Sequence, residues 1–149
     1  MDYGSMEWIY ADDDISALKM FSDAVNGISQ SRIAKINLTT FRTGEEVIAT
    51  LKSKKAKDCM VFLDIDIPAK NGFQVLRELK ANKDLKDVPV IMHSTSKGRV
   101  SIDISSELGA DLYIIKPDSA AELQELLKKV ITFDFKGAKL VGDDFVLNS

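Results

Sequence analysis

Along the chain, short apolar runs give way repeatedly to longer stretches in which apolar residues recur every three or four positions. The first run, Glu7-Trp8-Ile9-Tyr10-Ala11, stops at Asp12-Asp13-Asp14. Ile15, Leu18, Phe21 and Val25 then fall on one stripe, which predicts a helix from Ile15 to about Ile28. Ile33 to Phe41 alternates through Ile36, Leu38 and Thr40 and reads as a strand, punctuated by Thr43-Gly44. Glu45 to about Ser53 is predicted helical, with Val47, Ile48 and Leu51 inward. Cys59 to Leu63 is continuously apolar, as expected of a strand covered on both faces. Phe73 to about Ala81 follows as a helix on Phe73, Leu76 and Leu79. Val88 to Met92 is a fourth strand, with Pro89 at its entry, where a missing N–H does least harm. Val100 to Leu108 is a weaker, serine-rich helix ended by Gly109. Leu112 to Ile115 is a fifth strand, and Ser119 to Val130 a strong helix opened by a Ser119-x-x-Glu122 capping box.

Strand followed by helix, five times over, predicts an α/β fold: a doubly wound, five-stranded parallel sheet with helices on both faces. In such sheets ligands bind beyond the carboxyl ends of the strands, and chemistry is sought there. The end of the chain departs from the alternation. Ile131-Thr132-Phe133-Asp134-Phe135 alternates like a strand, Lys136-Gly137 and Gly142-Asp143-Asp144 read as turns, and Phe145-Val146-Leu147 is apolar again. Residues 6–131 are therefore expected to form one domain, and 132–149 a tail that either adds a β element or holds a partner. The tail is too short for a helix-turn-helix or a catalytic output domain, so none is expected.

Composition narrows the function classes. The 149 residues suit one domain, and an apolar fraction of 45% suffices for a core. A formal net charge of −3 argues against a nucleic-acid binder. Cys59 is the single cysteine, which excludes an intrachain disulfide and points to a reducing, cytoplasmic setting. The first residues lack the basic start and apolar stretch of a signal peptide, and no apolar run approaches membrane-spanning length. Lys52, Lys54, Lys55 and Lys57 make a basic run read as a solvated helix end and loop.

Four strand ends carry the candidate chemistry: Asp12-Asp13 after the first, Asp64 after the third, Ser94-Thr95 at the fourth and Lys116-Pro117 after the fifth. Three carboxylates side by side repel one another and are tolerable only with a cation nearby or with raised pKa values. An oxygen-only cluster suits Mg²⁺, which keeps waters and takes phosphate oxygens. With Lys116 as a charge partner and Ser94 as a hydroxyl donor, these are the parts of a phosphoryl-transfer site.

In these residues the chain resembles a receiver domain, the phosphoacceptor module of two-component response regulators. The carrying features are Asp12-Asp13, Asp64 followed by Pro68 and Asn71-Gly72, Ser94, Gly109-Ala110-Asp111, and Tyr113 three residues before Lys116-Pro117. The resemblance covers about residues 6 to 131. It implies a flavodoxin-like strand order 2-1-3-4-5 and a single-domain response regulator: a signalling protein that catalyses only its own phosphorylation and dephosphorylation. It implies Asp64 as phosphoacceptor, and Mg²⁺ held by Asp12, Asp13, Asp64 and the backbone carbonyl of Asp66. Lys116 would contact the phosphoryl group, Ser94 would swing toward it and Tyr113 would turn inward. The implied partners are a sensor histidine kinase or histidine phosphotransfer protein and a downstream target protein, with neither nucleic acid nor membrane. The Lys116-Pro117 peptide is expected to be cis.

Two rival readings differ in class. Asp64-x-Asp66 also resembles the nucleophile and general acid of haloacid-dehalogenase-type phosphatases, but there the pair lies on the first strand and the other acidic pair comes late. A receiver-like interaction module without phosphate chemistry would usually have lost Asp64, the acidic pair or the lysine, all of which are present here. His93, the single histidine, is read as a packed strand residue and Cys59 as inert core. Thr95 is bulkier than the small residue usual at that place, which would narrow access to an acyl phosphate.

Overall fold

The computed structural model describes residues 5–54 and 59–149. Lys55, Lys57 and the side chain of Lys54, from the basic run, lie outside the described residues; Lys52 is exposed. The elements in chain order are β1 (Ser5–Ala11), α1 (Ile15–Gln30), β2 (Lys35–Phe41), α2 (Gly44–Lys54), β3 (Cys59–Leu63), α3 (Gly72–Ala81), β4 (Val90–Ser94), α4 (Arg99–Glu107), β5 (Leu112–Ile115), α5 (Ala120–Thr132), a 3-10 turn (Gly142–Phe145) and β6 (Val146–Leu147). The strands form one sheet in the order β2-β1-β3-β4-β5-β6, every neighbouring pair parallel. The expected doubly wound architecture and the order 2-1-3-4-5 are present, with a sixth strand added at the β5 edge.

Two cores sandwich the sheet, and the two-residue pleat sorts the strand residues between them. Ile9 and Ala11 of β1 join Val61 and Leu63 of β3 beneath α2, α3 and α4. Trp8, Tyr10 and Phe62 point the other way and pack with Phe21, Val25 and Ile28 of α1 and Leu123, Leu127 and Val130 of α5. Strands β4 and β5 are buried along their whole length, as both-face coverage requires.

Several boundaries differ from the sequence pattern for local reasons. Ile15 opens α1 but is 67% exposed; the buried stripe runs through Phe21, Ala24, Val25 and Ile28. Strand β4 begins at Val90 rather than Val88 and runs through His93 and Ser94. Val88 instead donates its N–H to the Leu85 carbonyl at 3.0 Å in a turn, and Pro89 has no N–H for a ladder. The Ser119 side chain caps α5 by accepting the Glu122 N–H at 3.2 Å, but Glu122 reaches the N–H of Asp118 at 3.3 Å, so the box does not close on Ser119. A full capping box exists at α3, where Asn71 and Gln74 bond each other's backbone N–H at 3.0 and 2.8 Å.

The tail departs most. Ile131 to Phe135 is not a strand: α5 continues to Thr132 and Phe133 caps it. The alternation arises because Ile131, Phe133 and Phe135 all lean on the α1/α5 core. The β element lies farther on, at Val146–Leu147, paired parallel with Tyr113 and Ile114. Phe145, 1% exposed, enters the opposite core beside Tyr113. The tail thus straddles the β5 edge, with apolar anchors on both sides. Phe145→Ala should lower the unfolding free energy by about 3 kcal/mol, the usual range for truncating a fully buried phenylalanine. Urea unfolding would measure it, and a loss under about 1 kcal/mol would contradict a docked tail.

Candidate functional site

The same device sets three of the four strand-end side chains. Each follows the last residue of its strand while its backbone N–H still pairs with a neighbouring strand. Asp12 N–H donates to the Phe41 carbonyl at 3.0 Å, Asp64 N–H to Ala11 at 3.0 Å, and Lys116 N–H to Ser94 at 2.8 Å. Sheet pairing therefore carries the register into the loops and aims these side chains at one point. Gly72 allows α3 to close against that point: a Cβ there would lie 2.3 Å from the Asp64 carbonyl oxygen and 2.8 Å from Ile65 Cα.

Ligand oxygens of Asp12, Asp13 and Asp64 lie within 4.8 Å of one another. Lys116 Nζ sits 2.7 Å from Asp12 Oδ2 and 3.3 Å from Asp64 Oδ1. Asp12 and Asp64 are buried, while Asp13 and Asp66 are exposed. The side chain of Asp66 stands outside the carboxylate cluster, which is compatible with the expectation that only its carbonyl would serve. Ser94 is buried, and its Oγ accepts the Ser96 N–H at 3.1 Å. Tyr113 is buried and its hydroxyl donates to the Ser96 carbonyl at 2.8 Å, so the ring already occupies an inward position. One expectation is overturned: no described peptide bond is cis, so Lys116–Pro117 is trans. Trans is the lower-energy form even before proline, and Lys116 reaches both carboxylates from it.

Sequence reasoning missed the contacts of three residues that border the site. Tyr10 donates its hydroxyl hydrogen to Asp12 Oδ2, and His93 Nδ1 lies 3.1 Å from the same hydroxyl. The available signal was the pleat: a tyrosine two residues before an acidic strand end faces a buried side, where its hydroxyl needs a partner. Arg42, also unforeseen, donates to the Asp13 carbonyl at 3.0 Å.

Electrostatics divide the two buried carboxylates. Burial, reinforced by the charges of Asp12 and Asp66, raises Asp64 to about 6, against the pull of Lys116. Burial also pushes Asp12 up, but hydrogen bonds from Lys116, Tyr10 and the Asp14 N–H outweigh it and hold its carboxyl below the ordinary value. Burial pulls the Lys116 ammonium down from its ordinary value, but its bond to Asp12 and the charge of Asp64 outweigh this and hold it above that value. Three carboxylates against one ammonium leave a negative excess bounded by oxygen donors. That donor set fits a hard divalent cation with open positions for waters or phosphate oxygens.

Asp64 has a folded pKa of about 6, above the unfolded value of about 3.9. Below about pH 4 it is neutral in both states. As pH rises from there the unfolded chain ionises first, so stability is lost until the folded pKa is passed. In metal-free buffer Asp64→Asn should therefore be more stable than wild type by on the order of 2 kcal/mol at neutral pH, allowing for water at the pocket mouth. The difference should shrink towards about pH 4. Thermal unfolding at both pH values measures it, and a pH-independent difference would contradict a desolvated Asp64.

Residues 9–128 match the family described as the response regulator receiver domain. Chemotaxis protein CheV2 of Helicobacter pylori is 28% identical over 126 residues, which is 83% of this chain and 38% of CheV2. Response regulator Rcp1 of Synechocystis is 32% identical over 74 residues, half of each chain. The chain thus spans half or less of these relatives' own length. A crystal structure of the Mn²⁺-bound form of Rcp1 aligns with a TM-score of 0.71 at 22% identity, covering 92% of this chain and 99% of that one. The phosphorylated cyanobacterial phytochrome response regulator RcpA aligns with a TM-score of 0.74 at 24% identity, over 85% and 91% of the two chains.

Proposed function

The chain belongs to the response regulator receiver domain family, and from that premise we propose that it takes a phosphoryl group from a phosphohistidine onto Asp64 and switches a protein-interaction face. The observation that carries this is the bridging of Asp12 and Asp64 by Lys116 at 2.7 and 3.3 Å beside a third carboxylate. The receiver proper would be residues 6–131, with 132–149 as its tail.

In the reaction a carboxylate oxygen of Asp64 attacks phosphorus in line, the O–P bond forms, and the N–P bond to the donor's imidazole breaks. The donor is a sensor histidine kinase or a histidine phosphotransfer protein. With its pKa at about 6, Asp64 is mostly ionised at neutral pH and ready to attack. Asp12, Asp13, Asp64 and the backbone carbonyl of Asp66 would hold Mg²⁺, which supplies neutralisation of the phosphoryl oxygens. Lys116 keeps its proton and meets another phosphoryl oxygen. Ser94 would give up the Ser96 N–H to donate its hydroxyl to the product. Ser96 also accepts from Tyr113, so a shift there bears on α4, β5 and the β4–α4 loop together. A downstream target protein would read that face, which includes the tail strand paired with Tyr113. The chain acts on itself rather than on a separate substrate, without nucleic acid or membrane; among the described residues no helix is long and apolar enough to cross a membrane. A cytoplasmic setting fits a kinase-fed switch.

Incubation with acetyl phosphate and Mg²⁺ should add one phosphoryl mass to the intact wild type and none to Asp64→Asn. No gain after rapid quenching, with Mg²⁺ binding intact, would leave a phosphate-independent interaction module. Thr95, exposed just past β4, should shield the acyl phosphate from water. Thr95→Ala is expected to lose the phosphoryl mass faster than wild type, by roughly twofold or more. Equal decay would remove Thr95 from that role.

A further inference from the structure

Behind Asp12 lies a buried row of polar side chains that the phosphoryl chemistry does not use. Tyr10 and His93 are both almost wholly buried, Tyr10 on β1 and His93 on β4. The Tyr10 ring stacks on Phe21 with centroids 4.1 Å apart, and the His93 ring meets both edge-on at 5.3 and 5.7 Å. Their polar atoms form one line: His93 Nδ1, Tyr10 hydroxyl, Asp12 Oδ2, with Lys116 Nζ on the same oxygen.

The proton positions along this line follow from valence. An ionised carboxylate only accepts, so the single hydroxyl hydrogen of Tyr10 goes to Asp12. The oxygen of Tyr10 then presents lone pairs to His93 at 3.1 Å. A bare Nδ1 there would set lone pair against lone pair, so Nδ1 carries the hydrogen. His93 is neutral, because burial and then the charge of Lys116 push its pKa down to about 3. Nε2 is therefore a bare acceptor, and among the described residues it is buried without a hydrogen-bond partner. The opposite tautomer would orphan a donor at Nε2 and also place two lone pairs in contact.

Each carboxylate oxygen offers two lone pairs. Oδ2 of Asp12 gives both, to Tyr10 and Lys116; Oδ1 gives one, to the Asp14 N–H at 3.0 Å. The carboxylate is fixed in rotation, with Oδ1 left able to take one more partner.

We infer that Tyr10 is a positioning residue for the divalent-cation site, holding Asp12 with one ligand oxygen presented, and that His93 orients Tyr10 as an Nδ1–H donor. The inference rests on the proposed phosphoryl-transfer reading of the same site. Neither side chain touches the reacting atoms; Tyr10 acts through Asp12 and His93 through Tyr10. Loss of a hydrogen-bonding partner behind a metal ligand commonly weakens metal affinity by about 10- to 100-fold.

The test compares wild type, Tyr10→Phe, His93→Asn and His93→Leu. Tyr10→Phe keeps the ring on Phe21 and removes only the hydroxyl. Its Mg²⁺ dissociation constant, read by calorimetry, should rise about tenfold. With acetyl phosphate, half-saturating Mg²⁺ should rise by the same factor while the rate at saturating Mg²⁺ stays within roughly twofold, since the cation restores what the hydroxyl had fixed. His93→Asn, which offers an N–H where Nδ1 stands, should bind Mg²⁺ like wild type, and His93→Leu more weakly. Ring ¹⁵N shifts of wild-type His93 should report the Nδ1–H tautomer, a reading that needs no variant to fold. An Nε2–H tautomer in the wild type would overturn the inference. So would equal Mg²⁺ affinity in wild type and Tyr10→Phe, or a loss of plateau rate without a shift in the Mg²⁺ requirement. A wild type that binds Mg²⁺ but accepts no phosphoryl group would instead overturn the proposed function, and the Mg²⁺ constants and tautomer would still decide the roles of Tyr10 and His93.

Discussion

The ammonium of Lys116 lies 2.7 and 3.3 Å from two carboxylates that the fold has taken out of water. Ionised carboxylates in an apolar setting are costly unless paired, and breaking a buried pair is worse than never having formed it. Much of the architecture can be read as the means of bringing that cation to that place. Asp12 and Asp64 come from adjacent strands, β1 and β3, whereas Lys116 comes from β5, with β4 between. The backbone bond from Lys116 to Ser94 carries β5 one residue past its last ladder position and brings the lysine to the edge of the pocket. A shift of one residue in β5 would flip Lys116 to the other face of the sheet and leave the carboxylates unpaired.

The same strand has a second duty. Only four residues long, β5 carries Tyr113 three places before the lysine and pairs it with Val146 of the tail. Tyr113 also holds the carbonyl of Ser96, whose N–H bonds Ser94. Ser94 at the end of β4, the β4–α4 loop and the outer edge of the sheet are thus joined through three consecutive contacts. An uncovered β5 would present unpaired N–H and C=O groups to any passing strand. The tail covers part of that edge with main-chain bonds and with the buried Phe145.

The alternation of apolar runs and amphipathic stripes made the five-fold strand–helix order legible, and Cys59–Leu63 and Leu112–Ile115 coincide with the observed strands. The strand ends were legible because acidic and basic residues interrupt apolar runs abruptly, as at Asp12, Asp64 and Lys116. What stayed hidden depended on contacts between distant segments. The apolar Phe145-Val146-Leu147 leaves an added β element open in the sequence, but two residues are too few to fix its place; they become a strand because β5 offers an edge and the core offers Phe145 a pocket. The apparent alternation of Ile131 to Phe135 misled because a helix end and a loop can both lean on one core. His93 was rightly placed on a strand, but its bond to Tyr10 joins residues 83 positions apart, beyond the reach of any local pattern.

Asp12 and Asp64 share a cation, a depth and a sheet edge, yet their ionisation is pushed in opposite directions. The difference lies in how many donors each receives. Asp12 has Lys116, Tyr10 and the Asp14 N–H. Asp64, among the described residues, has Lys116 at the longer distance. A carboxylate satisfied on most of its lone pairs is a stable anion and a poor nucleophile; one left short of donors holds its charge less comfortably and keeps lone pairs available for a new bond. Asp66, two residues on, lies exposed rather than at that depth. The aspartate on which the strand end converges is thus the one with least compensation for its charge, and that deficit is what an electrophilic phosphorus or a divalent cation can relieve.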